Sequence, residues 1–234
     1  KGTIDLYPIE ENGNIQAAES IVQHKGSGPD PRQEKAHTHY AGFSPDEKFM
    51  IAVELGCDAI LTYEKKDNRL VEKTSYHFKP GSGPRHLVFH PSQTHAYVMT
   101  EFSSEIVALK FHPENGSFSH LQTHSTLPDH YMENNQGSAI HITKDGRFVY
   151  AANRGHNSIA VFEVEQTNRL RFVEHISTEG DWPRDFSLDP SERFLLAANQ
   201  NSNDMALFSR NPDTGKLTLV KAGINVPEPV CVKF

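Results

Sequence analysis

One pattern recurs four times in this chain. The segments His39 to Phe49, Arg85 to His95, Ser138 to Phe148 and Arg184 to Phe194 align without gaps, with anchors at Pro45, Pro91, Lys144 and Pro190. The anchors are spaced by 46, 53 and 46 residues. A period in this range marks an array in which one supersecondary unit is repeated and each unit is buried by its neighbours.

Within each repeat, a short apolar run leads into a Pro-Asp or Asp-Gly type turn. A denser run follows (Phe49 to Val53, Ala96 to Met99, Phe148 to Ala152, Phe194 to Ala198), as expected for a strand buried on both faces. A third strand carries Ile60, Ile106, Ile159 and Met205 at one landmark, and Tyr63, Leu109, Phe162 and Phe208 three residues on. Turn signals at Asn68, Asn115, Asn168 and Thr214 precede a more polar fourth strand. Helical periodicity is lacking. Four antiparallel strands per repeat define an all-β chain of the β-propeller type, with complete blades expected at about 37–78, 83–125, 136–178 and 182–223 in one domain spanning 1–234. Thr3 to Tyr7 and Ile15 to His24 read as third and fourth strands of a partial blade, and Val230 to Phe234 as the first strand of another.

Twenty-three Lys and Arg against 30 Asp and Glu give a formal charge of −7, which argues against a surface built to grip nucleic acid. No apolar run approaches the roughly 18 residues of a membrane span. The two cysteines, Cys57 and Cys231, fit a reducing cytoplasm, and no metal-ligand spacing or cofactor motif stands out among 14 scattered histidines. The chain does not begin with Met, and N-terminal residues are expected to be missing. Open blade edges would then invite self-association.

Equivalent repeat positions occupy equivalent places around a propeller axis. Six residues before the anchors stand His39, Arg85, Ser138 and Arg184; ten after stand Leu55, Glu101, Arg154 and Gln200. These positions should face each other at one mouth of the array. Arg85 and Glu101 become cross-strand neighbours, with His39 and Arg184 converging from other blades. Two guanidiniums can hold an anion and stabilise a developing oxyanion, while His and Glu can carry protons. Hydrolysis of an ester or lactone needs those functions. His37, His86, His141, Asn153 and Arg154 are candidate substrate-binding residues near the same mouth. The longer interval between the second and third anchors adds seven residues around Leu127 to Gln136, a candidate lid or specificity loop.

The residues around Gly81 to Pro91, Ala139 to Ile159 and Trp182 to Phe186 resemble those of the seven-bladed propeller lactonases, a family that includes cycloisomerase-type 6-phosphogluconolactonases and carboxymuconate lactonising enzymes. The resemblance implies metal-independent hydrolysis of 6-phosphogluconolactone, with His39, Arg85, Glu101 and Arg184 as site residues and a small anionic sugar lactone as ligand. Seven blades at this chain's own period need about 320 residues, so the chain is expected to cover about five blades. Lactonisation of a carboxylated muconate, or a propeller that binds a protein partner, are the alternatives. Which of Glu101, His39 and His141 acts as base or acid is left open.

Overall fold

The computed structural model describes residues 2–234. Its strands are β1 (Thr3–Leu6), β2 (Ser20–Gln23), β3 (Thr38–Phe43), β4 (Phe49–Glu54), β5 (Ala59–Lys66), β6 (Arg69–His77), β7 (Pro84–Phe89), β8 (His95–Thr100) and β9 (Glu105–His112). They continue as β10 (Ser117–Ser125), β11 (Gln136–Ile142), β12 (Phe148–Arg154), β13 (Ser158–Val164), β14 (Leu170–Ser177), β15 (Pro183–Leu188), β16 (Phe194–Asn199), β17 (Asp204–Arg210) and β18 (Leu217–Asn225). Single 3₁₀ turns occupy Pro31–Gln33 and Leu55–Cys57.

The strands form four antiparallel four-stranded sheets, β3–β6, β7–β10, β11–β14 and β15–β18, each paired in chain order, and a two-stranded sheet of β1 and β2. Two repeated backbone features set the hairpins. The second residue after each anchor has positive φ (Glu47, Gln93, Gly146, Glu192), and so does the thirteenth (Asp58, Ser104, Asn157, Asn203). Asp and Asn tolerate the left-handed region better than most residues, which suits them to the latter turn. The second strand of each repeat is the most deeply buried: every residue of β12 is buried.

The cores lie between sheets rather than within one. Phe49, Ile51 and Val53 of one sheet pack with Leu87, Val98 and Phe111 of the next. Tyr97 and Met99 meet Val149 and Phe162, and Tyr150 and Val161 meet Phe186 and Phe208. Ile4 packs on Ala52 and Tyr63, placing the two-stranded sheet at one end of the stack. Repeat-equivalent tyrosines bolt neighbours together: Tyr97 Oη donates to the Asn168 carbonyl at 3.1 Å and Tyr150 Oη to the Gly215 carbonyl at 2.7 Å.

Residues 229–234 differ from expectation. They form no strand; the Val232 N–H instead donates to the Asp185 carboxylate at 2.8 Å, so a side chain takes the amide that a strand partner would use. No ladder joins this segment to β1 or β2 among the described residues.

Candidate active site

Each inner strand breaks its ladder at the same place. Thr38 pairs with Glu54 and Tyr40 with Val53, leaving His39 as the extra residue. Pro84 pairs with Thr100 and His86 with Met99, leaving Arg85. Pro183 pairs with Asn199 and Asp185 with Ala198, leaving Arg184. In β11 the irregularity spans Gly137 to Ile140, where Ser138 sits. Bulges re-aim side chains away from the normal alternation. Three residues expected at the mouth are thus turned out of their strands by one repeated backbone device.

Glu101 is the hub. It follows β8, its N–H donating to the Gly83 carbonyl at 2.6 Å, and its side chain is only 3% exposed. Oε2 accepts from Arg85 Nε at 3.0 Å and lies 2.8 Å from Arg154 Nη2, while Oε1 accepts from Arg32 Nη2 at 2.6 Å. Burial alone would raise this carboxyl's pKa, but Arg154, Arg85 and Arg32 hold it below the ordinary carboxylate range. Arg85 also donates to the Ser138 carbonyl at 2.8 Å, and Arg154 to the Gly137 carbonyl at 2.8 Å, so both guanidiniums are fixed to the neighbouring inner strand. Burial, with Arg154 nearby, lowers Arg85 to about 10.

The Arg85 loop is held from the previous sheet. Asp58 accepts from the N–H groups of Gly81 and Gly83, each at 2.7 Å, and both glycines have positive φ. A Cβ on Gly83 would fall 2.3 Å from the Phe102 ring, so glycine is required there.

An open cavity of about 490 Å³ lies over this hub, lined by Arg32, Glu34, His37, Thr38, His39, Leu55, Glu101, Arg154 and Arg184, with Pro31 at the turn. A second, of about 530 Å³, adjoins it through Arg184 and is walled by Tyr40, Arg85, His86, His141, Asp185 and residues 230–233, with Leu87, Val88 and Ile140. Arg184 has no hydrogen-bonding or ion-pair partner among the described residues. His39 lies with its ring 5.1 Å from that of His86. Burial first, then Arg85, lowers His39 to about 4, with Arg184 adding to the effect, so the ring is neutral near pH 7. Burial and Arg85 push His86 down to about 2. Burial likewise lowers His141, whose ring packs edge-on to Phe186 at 4.8 Å.

The sequence-derived set is therefore divided between two connected spaces. His37, His39, Glu101, Arg154 and Arg184 face the first, whereas Arg85, His86 and His141 face the second. Asn153 lines neither. It is fully buried, its amide donating to the Thr126 carbonyl and its oxygen accepting from Thr126 Oγ1. It holds the β12–β13 turn and the segment after β10, and is not a ligand-facing group. Of the 127–136 segment, Asn135 ties to the His156 N–H and Ser104 Oγ, but none of its residues lines either cavity. Arg32 was missed by sequence reasoning. It lies on the 3₁₀ turn before the first full repeat, so it has no repeat equivalent to flag it.

Sheets stacked side by side, with a mouth where the buried Arg85 and Arg154 pair with Glu101, define a β-propeller with an arginine-rich opening. The whole chain, residues 1–234, matches the family described as lactonase, 7-bladed beta-propeller, and the chain belongs to that family. A 6-phosphogluconolactonase of Bacillus subtilis is 53% identical over 234 residues, which are 100% of this chain and 67% of that protein. A solved protein from Lactobacillus plantarum is 40% identical with a TM-score of 0.95, over 99% of this chain and 67% of that one. A periplasmic gluconolactonase of Pseudomonas aeruginosa is 32% identical with a TM-score of 0.93, over 99% of this chain and 66% of that one. The chain thus spans about two thirds of the relatives it matches.

Proposed function

We propose that the site opens a six-carbon sugar lactone by hydrolysis, with 6-phosphogluconolactone as substrate and 6-phosphogluconate as product. The observation that carries this reading is the charge arrangement: Arg32, Arg85 and Arg154 surround the carboxylate of Glu101, and Arg184 and the neutral imidazole of His39 line the same cavity. The identity with the Bacillus subtilis 6-phosphogluconolactonase supports the choice of substrate.

The roles follow from which groups are already committed. Glu101 has both oxygens engaged by guanidiniums, so it acts as the fixed counter-charge that orients the arginines. His39 is neutral and can accept a proton from water as the water oxygen bonds to the lactone carbonyl carbon. The oxyanion formed faces Arg184, the cavity arginine with no partner. When the carbonyl reforms, the bond from that carbon to the ring oxygen breaks, and the proton held by His39 passes to the departing ring oxygen. One water is consumed: its hydroxyl ends on the carbonyl carbon and its hydrogen on the former ring oxygen of the same open-chain product.

A phosphate ester crosses membranes poorly, and we place the reaction in the cytoplasm on that ground. The described residues include no helix long and apolar enough to cross a membrane. The test is the rate of lactone opening with 6-phosphogluconolactone and with a carboxymuconolactone under the same conditions. Acceleration of the first alone is expected; acceleration of the second alone would replace this reading with the lactonising one.

A further inference from the structure

The three guanidiniums on Glu101 are not equivalent. The side chains of Arg85 and Arg154 are 4% and 3% exposed and each is also bonded to a backbone carbonyl, whereas that of Arg32 is 52% exposed and its one polar side-chain partner is Glu101. The base of Arg32 is nonetheless fixed. Its N–H donates to Asp30 Oδ1 at 2.8 Å, Pro31 precedes it, and the buried Gln33 side chain donates to the Leu55 carbonyl at 2.8 Å. Arg32 is a half-exposed arm on an anchored turn at the rim of the cavity, with its guanidinium 4.8 Å over the Phe102 ring.

Charge makes that arm available. Glu101 offers one negative charge to three guanidiniums, and Arg184 adds a fourth with no partner among the described residues; the other acidic group of the cavity, Glu34, is met by His37 Nε2 at 3.1 Å and Lys35 Nζ at 3.3 Å. Arg85 and Arg154 saturate Oε2, so loss of Arg32 from Oε1 leaves Glu101 paired. An entering dianion can therefore recruit Arg32 without stranding a buried carboxylate. Arginine also matches phosphate with paired N–H donors.

Resting on the lactonase reading, we infer that Arg32 is the specificity-determining residue that binds a phosphate monoester at the end of the sugar away from its lactone carbonyl. His39 and Arg184 hold the carbonyl end deeper in the cavity; Arg32, at the rim, meets the exocyclic end. The residue is then what separates a phosphorylated from an unphosphorylated lactone at an otherwise shared site.

The test is the ratio of kcat/KM for 6-phosphogluconolactone to that for glucono-δ-lactone, measured on the full chain and on its Arg32→Ala and Arg32→Lys variants. Calorimetric binding of 6-phosphogluconate and of gluconate runs in parallel. Arg32→Ala should lower the kinetic ratio at least about tenfold, chiefly through KM, and Arg32→Lys should recover part of it, since a point charge replaces a fork. The binding preference for 6-phosphogluconate should fall in step. If Arg32 only clamps Glu101, both substrates lose equally; a ratio and a binding preference unchanged within about twofold would overturn the inference. If the unaltered chain opens neither lactone, the lactonase reading fails by itself, and the binding preference still decides the role of Arg32.

Discussion

Arg85 Nε donates to Glu101 Oε2 at 3.0 Å, and both side chains are almost wholly withdrawn from solvent, one from a bulge in β7 and the other just beyond the end of β8. A buried charge left without its partner costs far more than an intact pair contributes. Glu101→Ala would strand three guanidiniums against one another. The expected outcome is a fall in thermal stability together with loss of lactone opening by at least about a hundredfold. Differential scanning calorimetry alongside the kinetic assay checks both; unaltered activity would remove Glu101 from the site.

On the proposed mechanism, His39 sets the pH dependence. Its folded pKa of about 4 lies below the ordinary histidine value, so the base is neutral through the physiological range and is protonated only as pH falls towards 4. The acid limb of kcat/KM should therefore lie well below pH 6 and disappear with His39→Gln. The linkage has the same sign: the unfolded chain binds the proton first, so stability is fully present above about pH 6.5 and declines as pH falls towards 4. An acid limb centred near 6.5 would assign the base elsewhere.

Behind the cavity, Glu54 is completely buried and gathers four groups. It accepts from the N–H of His37 and of Gly56 and from Thr38 Oγ1, and lies 2.7 Å from His24 Nδ1. The entry into β3, where His37, Thr38 and His39 line the cavity, is thereby tied to both β4 and the segment after β2. Glu54→Ala should cost about 3–5 kcal/mol, the range for breaking a buried pair. Urea unfolding measures it, and a loss below about 1 kcal/mol would contradict the network.

Gly137 has a different reason to be glycine. Its N–H donates to the Glu101 carbonyl at 2.9 Å, and a Cβ would lie 2.3 Å from the Thr100 carbonyl oxygen and 2.2 Å from Met99 Cε. Backbone meets backbone between β8 and β11. Gly137→Ala should destabilise by about 1–3 kcal/mol, the usual range for overpacking, and should lower activity because Arg154 is fixed to the Gly137 carbonyl. Parallel unfolding and kinetic measurements check it; a fully stable, fully active variant would show that the sheets can separate freely.

The repeat made the sheets legible, because strand and turn chemistry recur at fixed offsets from Pro45, Pro91, Lys144 and Pro190. It also brought Arg85 to Glu101, since both sit at fixed distances from Pro91. The bulges that free His39, Arg85 and Arg184 from their ladders leave no mark in composition or alternation, so the division of the set between two spaces could not be read. Asn153 misled because a polar residue at a strand end serves equally well as a ligand or, as here, as an internal clasp on Thr126. Arg32 lies outside any repeat, and only the folded path of the segment between β2 and β3 carries it to Glu101.

If the arginine-rich mouth opens a lactone ring as proposed, Arg184 carries the oxyanion, because that guanidinium is not committed to any other group among the described residues. Steady-state opening of 6-phosphogluconolactone at pH 7, corrected for the spontaneous rate, should be accelerated by the unaltered chain and slowed in Arg184→Ala by about a hundredfold or more. Equal rates for the two proteins would rule out oxyanion stabilisation by Arg184 and lactone opening at this mouth.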